Sequence, residues 1–373
     1  MTGIHACRIL FALFTVIFLA GCGRDYEAAR VLAEIAGREV PAILGERTPA
    51  PVRNTVVYRL NGREYRGDLY RPPVPAEAGM VLVPGAAEKG KDDPRLVAFA
   101  TTLARARFAV LVPDLQGLRE MKVGPGNIRE IADTFAWLDS RTELAPGGRA
   151  GIFAFSYASG PAFLAAMEED IRNRVRFVFS VGGYHDLVSV TTFFTTGYYR
   201  KAGEWRHMEP NRYGKWVFVL SNSERLRDPA EREVLRLMAL RRMDNPGAGI
   251  DDLAHRLGTE GRRVYELISN RDPGAVPALI ARLPRPIRAD LEALTLAGKP
   301  LERLRSRAIL VHGLDDDIIP YTESIALANA LPPGQSRLFL AKGLFHADVK
   351  PGLLDSWRLW KAVSALLKER EAD

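Results

Sequence analysis

Ser156 lies where an apolar run, Ala150-Gly151-Ile152-Phe153-Ala154-Phe155, meets the small-residue stretch Tyr157-Ala158-Ser159-Gly160. A serine at a strand-to-helix junction sits on a sharp turn that lifts its hydroxyl above the sheet. The residues two before and two after it must then be small. Here they are Ala154 and Ala158. A serine hydroxyl becomes a useful nucleophile only when a base takes its proton, and the base needs a carboxylate to fix its tautomer. The chemistry to look for is therefore acyl transfer through a serine, a histidine and an acid. Three histidines follow apolar runs: His185 in Gly182-Gly183-Tyr184-His185-Asp186, His312 at the end of Ala308 to His312, and His346 after Arg337 to Ala341. The carboxylates of Asp315, Asp316 and Asp317 come directly after His312.

The elements needed to hold these groups alternate along the chain. Val56 to Leu60 and Glu64 to Tyr70 flank Asn61-Gly62, a strong hairpin signal because both turn residues tolerate positive φ. Apolar runs at Met80 to Val83, Phe108 to Val112, Ala150 to Phe155, Arg176 to Val181, Ala308 to His312 and Arg337 to Ala341 alternate with helical patterns. That rhythm predicts an α/β fold, a mostly parallel central sheet with helices on both faces. It breaks over residues 187–305, where aromatics (Phe193, Phe194, Tyr198, Tyr199, Trp205) give way to Arg- and Leu-rich helical stretches. This segment is read as an inserted helical cap. The expected organisation is a core in two parts, 52–186 and 306–373, interrupted by that cap.

Arg8 precedes the apolar run Ile9 to Ala20, which is followed at once by Gly21 and Cys22. The run is short for a bilayer span, and with its basic lead and small residues it reads as a secretory signal over residues 1–21. Leu19-Ala20-Gly21-Cys22 resembles the lipobox of bacterial lipoproteins. The resemblance implies acylation of Cys22 and cleavage before it. With Gly23 following, it further implies the outer membrane in a Gram-negative cell. Residues 22–51 are then a short helix (Tyr26 to Ile35) and a Pro-containing tether. Cys7 and Cys22 are the two cysteines of the chain, so no disulfide framework or cysteine metal site is expected in the folded body. The net charge of +7 is spread over helical Arg/Leu patterns rather than gathered in a stripe, which argues against a nucleic-acid partner.

With the strand–Ser156–helix junction, the segment His312-Gly313-Leu314-Asp315-Asp316-Asp317-Ile318-Ile319-Pro320 and Gly343-Leu344-Phe345-His346 in view, the chain resembles the α/β-hydrolase superfamily over residues 53–186 and 306–369. The alanines flanking Ser156 depart from the family's glycine-flanked elbow. The resemblance implies Ser156 as nucleophile, Asp316 as acid (Asp315 and Asp317 as alternates) and His346 as base. His312 becomes an orienting or packing residue, and His185 the rival base or a substrate-facing residue. It implies oxyanion donors on the backbone of Tyr157 and of Ala86, with Ala87 as alternate, in Val83-Pro84-Gly85-Ala86-Ala87. Phe193, Phe194 and Tyr198 are candidate pocket residues. The activity implied is hydrolysis of a small ester or acyl substrate through an acyl-enzyme, with no cofactor and no metal. A peptidase with the same three residues and a non-enzymatic binding lipoprotein are the alternatives, while dehalogenase chemistry would call for an aspartate at position 156.

Overall fold

The computed structural model describes residues 23–37, 49–344 and 353–372. Among the described residues eight strands form one sheet: β1 (Val52–Leu60), β2 (Arg63–Arg71), β3 (Ala78–Val83), β4 (Phe108–Pro113), β5 (Ala150–Phe155), β6 (Phe177–Val181), β9 (Arg307–Gly313) and β10 (Ser336–Ala341). Two further strands, β7 (Tyr198–Lys201) and β8 (Glu204–His207), make a separate hairpin. The order in the large sheet is β1-β2-β4-β3-β5-β6-β9-β10, and β2 alone runs antiparallel to its neighbours. The turn between β1 and β2 has Asn61 at φ 51° and Gly62 at φ 75°, as the Asn-Gly pair predicts.

Residues 23–35 form α1, and the sheet's crossovers carry α2 (Pro94–Arg105), α3 (Gln116–Arg119), α4 (Gly126–Asp139) and α5 (Ser159–Ala165). Side chains of a strand alternate between faces, and the burial follows that rule. Val81, Val83, Ile152, Ala154, Val178 and Leu310 pack under α4 and α5. Met80, Leu82, Phe153, Phe177, Phe179, Ile309 and Val311 pack on the opposite face against α1 and α2. Both faces are covered, which is why these strands read as near-continuous apolar runs.

Between β6 and β9 come α6 (Leu187–Thr196), the β7–β8 hairpin, α7 (Arg212–Ser223), α8 (Pro229–Asp244), α9 (Asp251–Ala254), α10 (Thr259–Ser269), α11 (Val276–Arg282) and α12 (Arg285–Leu294). They close on a core of their own that includes Phe194, Trp216, Val219, Leu235, Met238, Val264, Leu267 and Ile287. The inserted segment is thus helical with one small hairpin, which the sequence reading did not anticipate. After β9 come α13 (Thr322–Ala330), on the α4–α5 face, and α14 (Leu353–Lys368), on the α1–α2 face.

One element sits differently from expectation. The helix α1, expected as part of a tether, is docked on the body. Ala28 and Val31 are fully buried, Glu27 bonds Arg370 (2.7 Å) and Glu34 pairs with Arg105 (2.5 Å). Cys22 and residues 38–48 of the expected tether lie outside the described residues. Among the described residues, no helix is long and apolar enough to cross a membrane.

Candidate active site

The sheet register brings the strand ends level. Phe155 pairs with Val181, Val181 with Val311 and Val311 with Phe339, while Val83 pairs with Ala154. The residues that follow, Gly85-Ala86, Ser156, His185 and Asp316, are therefore collected along one edge. Chain direction across the sheet reverses between β3 and β5, since β3 is followed outward by β4 and β5 by β6. Crevices at such a reversal, outside the carboxyl ends of parallel strands, are where α/β sheets bind ligands. Gly85 and Ser156 stand on its two sides, and a Cβ at Gly85 would lie 3.8 Å from Ser156 Cβ.

Ser156 has φ 56°, a left-handed conformation that non-glycine residues adopt rarely and at a cost of about 1–3 kcal/mol. The strain comes from turning β5 straight into the helical turn Ser156–Ala158 that leads to α5. Ala154 and Ala158 are both fully buried, so larger side chains would not fit beside the turn. Tyr157, second in that turn, belongs to the first amides of a helix, which lack acceptors within it. In the loop after β3 the two candidate donors separate. The Ala87 amide donates to the Leu118 carbonyl (3.1 Å) and is spent, whereas the Ala86 amide makes no backbone hydrogen bond to a described residue. The alternate donor Ala87 is thereby set aside. The same loop is tied down further along, where Lys91 reaches the buried Asp68 (3.1 Å).

The three consecutive aspartates have three different jobs. Asp316 is 3% exposed, and its Oδ1 accepts from the amides of Ile318 (2.9 Å) and Ile319 (3.0 Å). Asp315 accepts from the Gly343 amide (3.1 Å), holding the loop after β9 to the loop after β10. The Asp317 carbonyl accepts from the Asn211 amide (2.7 Å) and so ties the same loop to the start of α7. His312, fully buried, supports Asp316: its Nε2 lies 2.9 Å from the Ile319 carbonyl and its Nδ1 2.7 Å from Ser324 Oγ. A carbonyl can only accept, so Nε2 carries the proton and Nδ1 takes the Ser324 hydroxyl. Burial first, and the Asp316 carboxylate second, keep the Tyr157 phenol protonated well above its ordinary range.

His346 lies outside the described residues. The chain leading to it is described as far as Leu344, and it passes so close to Gly313 that a Cβ there would overlap the Leu344 carbonyl oxygen. The rival His185 is half-buried, and burial, opposed by Asp186, holds its imidazole below the ordinary range. Its backbone is fixed: the amide donates to Glu323 (3.0 Å), and the carbonyl accepts from Leu296 and Ala297 (2.9 Å each). Its ring makes no hydrogen bond to a described residue.

Above the elbow, between α6, α7 and α12, is a small cavity of about 60 Å³ lined largely by apolar side chains. Tyr157, Tyr184, Phe194 and Phe218 are among its walls. Of the three aromatics expected to form a pocket, Phe194 does so. Phe193 is buried against Tyr199, and Tyr198 faces Trp205 and His207 on the hairpin. A supporting group that the sequence reading missed is Glu323, buried on α13, which accepts from the amides of His185 and Asp186 and so fixes the entry to α6. No spacing signals it, because its partners lie 137 and 138 residues away.

No protein-family model matches the chain, and no curated protein matches it. Among solved structures the chain resembles the α/β hydrolase GrgF from Penicillium sp. sh18, with a TM-score of 0.50 and 16% identity, covering 84% of this chain and 98% of that one. It is similar at TM-score 0.45 to wild-type AbyA5 (18% identity, 87% of this chain and 69% of that). It is similar at 0.47 to the acylaminoacyl peptidase of Pyrococcus horikoshii, with 12% identity and 89% of this chain against 43% of that one. At such identities the likeness speaks for fold alone: the chain has a mixed α/β architecture of the α/β-hydrolase type.

Proposed function

We propose that this protein is a serine hydrolase acting on carboxylic esters through an acyl-enzyme on Ser156. The observation that carries the reading is the left-handed backbone of Ser156 at the exit of β5, at the point where strand order reverses. Strain of this kind persists only where the surroundings enforce it, and it concentrates at functional positions. Asp316 adds support, since a buried carboxylate held by two amides is set to orient an imidazole. In this reading His346 takes the Ser156 proton as the hydroxyl attacks the ester carbonyl. The oxyanion faces the amides of Ala86 and Tyr157, and the imidazolium gives its proton to the departing alcohol. Water, deprotonated by the same ring, then releases the acid and restores the serine.

The ester preference rests on the cavity. Its walls are largely apolar, and the carboxylate among them, Asp290, is already paired with Arg225 at 2.7 Å. That leaves little there to hold the charged terminus of a peptide. Anchoring of the chain to the cell envelope through acylated Cys22 belongs to the same proposal and rests on the lipobox-like segment ahead of it.

The test is kinetic. The protein is expected to hydrolyse p-nitrophenyl esters of short acids and to leave aminoacyl p-nitroanilides essentially untouched, with Ser156→Ala abolishing ester turnover. Faster cleavage of the anilides would replace the ester reading with the peptidase one, and ester turnover that survives in Ser156→Ala would remove the proposal.

A further inference from the structure

The described chain begins at Gly23, and α1 runs from there against α14. Trp360 Nε1 donates to the Asp25 carbonyl (2.7 Å) and Ser364 Oγ to the Asp25 carboxylate (2.8 Å). Beside this junction, between α14 and the edge strand β10, lies a groove of about 500 Å³. Four cations line it, Arg24, Arg337, Lys361 and Lys368, against one carboxylate, Asp25, which is already engaged with Ser364. Arg24 bonds Glu371 (2.7 Å), and the other three cations form no ion pair among the described residues. Two large aromatics stand exposed nearby, Tyr26 at 65% and Trp357 at 52%. Each carries a cation over its ring, Arg30 at 5.8 Å and Lys361 at 3.7 Å.

A concave site lined by one sign of charge concentrates counter-ions. Tryptophan and tyrosine with neighbouring basic side chains are the residues favoured at a membrane–water interface. The apolar run Ile9 to Ala20 and Cys22 come immediately before this face in the chain. We propose that the groove between β10 and α14 seats the phosphate headgroup of an anionic phospholipid within a bilayer, with Trp357 and Tyr26 set into the interfacial layer. The proposal rests on the reading that the first 22 residues tether the chain to a membrane. A bilayer lipid fits better than a soluble anion because the exposed Trp357 ring packs on Lys361 of the groove, and that ring gains nothing from a free ion in water.

The test uses the full chain with vesicles of phosphatidylcholine, alone or with phosphatidylglycerol, containing brominated acyl chains. Flotation reports tethering, and the fluorescence difference between the parent and Trp357→Phe reports the depth of Trp357. The expected result is flotation with both vesicles, with quenching of Trp357 only where phosphatidylglycerol is present. That quenching should be lost in high salt and in a combined Arg337→Glu, Lys361→Glu, Lys368→Glu variant that still unfolds cooperatively. Flotation with no quenching, or equal quenching in both vesicles, overturns the groove and leaves the tether standing. Failure to float with either vesicle removes tether and groove together. Loss of quenching on adding millimolar inorganic phosphate at constant ionic strength would assign the site to a soluble anion and also overturn it.

Discussion

Nε2 of His312 lies 3.5 Å from Oδ2 of Asp316, and its proton is directed to the Ile319 carbonyl at 2.9 Å. One buried ring therefore fixes both ends of the turn whose amides hold the other oxygen of Asp316. Removing it in His312→Ala leaves the Ser324 hydroxyl and the Ile319 carbonyl without their partner and opens a cavity. The expected loss is about 3 kcal/mol of stability, read by urea denaturation, with a fall in kcat as Asp316 loses its setting. Ser324→Ala should cost less, about 1 kcal/mol. A His312→Ala protein of parental stability would contradict the role assigned to the ring.

The left-handed backbone at Ser156 gives a second expectation. Ser156→Gly removes the side-chain penalty at φ 56° and should raise stability by about 1 kcal/mol while abolishing turnover. Ser156→Ala keeps the Cβ and should show no comparable gain. Chemical denaturation of the two variants side by side decides it, and equal stability would mean that the turn carries no strain.

Gly313 lets the segment after β10 cross the end of β9. A methyl group at this position collides with the Leu344 carbonyl, backbone that cannot swing away, and Leu344 stands two residues before His346. Gly313→Ala should therefore lower kcat on esters by about 100-fold, the usual consequence of misplacing a reacting group by about 1 Å. Stability should fall by roughly 1–3 kcal/mol. A variant with full kcat would show that the position of this segment does not matter to catalysis.

Lys215 on α7 is partly buried in the cap, with Nζ 3.4 Å from the Thr195 carbonyl. Burial first, then the charges of Arg271, Arg212 and Arg242, push its pKa from 10.5 down to about 8. Between those two values the unfolded chain holds a proton that the folded chain has released, so this group makes stability rise with pH across that window. Lys215→Met should consequently be more stable than the parent below about pH 8, and the advantage should shrink as pH approaches 10.5. Denaturation midpoints measured at pH 7 and pH 10 test this, and an advantage that does not change with pH would contradict it.

Much of this was legible in the chain. The central strands of the large sheet, such as β3, β4, β5 and β6, appear as apolar runs because both faces of the sheet are covered there. Asn61-Gly62 announces its own turn, and Ser156 stands out because only small neighbours can flank such a bend. What could not be read are relationships across long separations. The docking of α1 depends on Glu27 meeting Arg370, 343 residues away, and Asp316 depends on a His312–Ser324 bond that no periodicity marks. The β7–β8 hairpin was missed for a local reason: its strands have four residues each and its turn is Ala202-Gly203, a weaker signal than Asn-Gly, although both residues adopt positive φ.

The central claim is that Ser156 is an activated nucleophile, and reaction with a fluorophosphonate followed by peptide mass spectrometry tests it most directly. A single adduct on the peptide containing Ser156 is expected, absent from Ser156→Ala and from His346→Ala. An adduct on a different residue, or none on well-folded protein, would contradict the account.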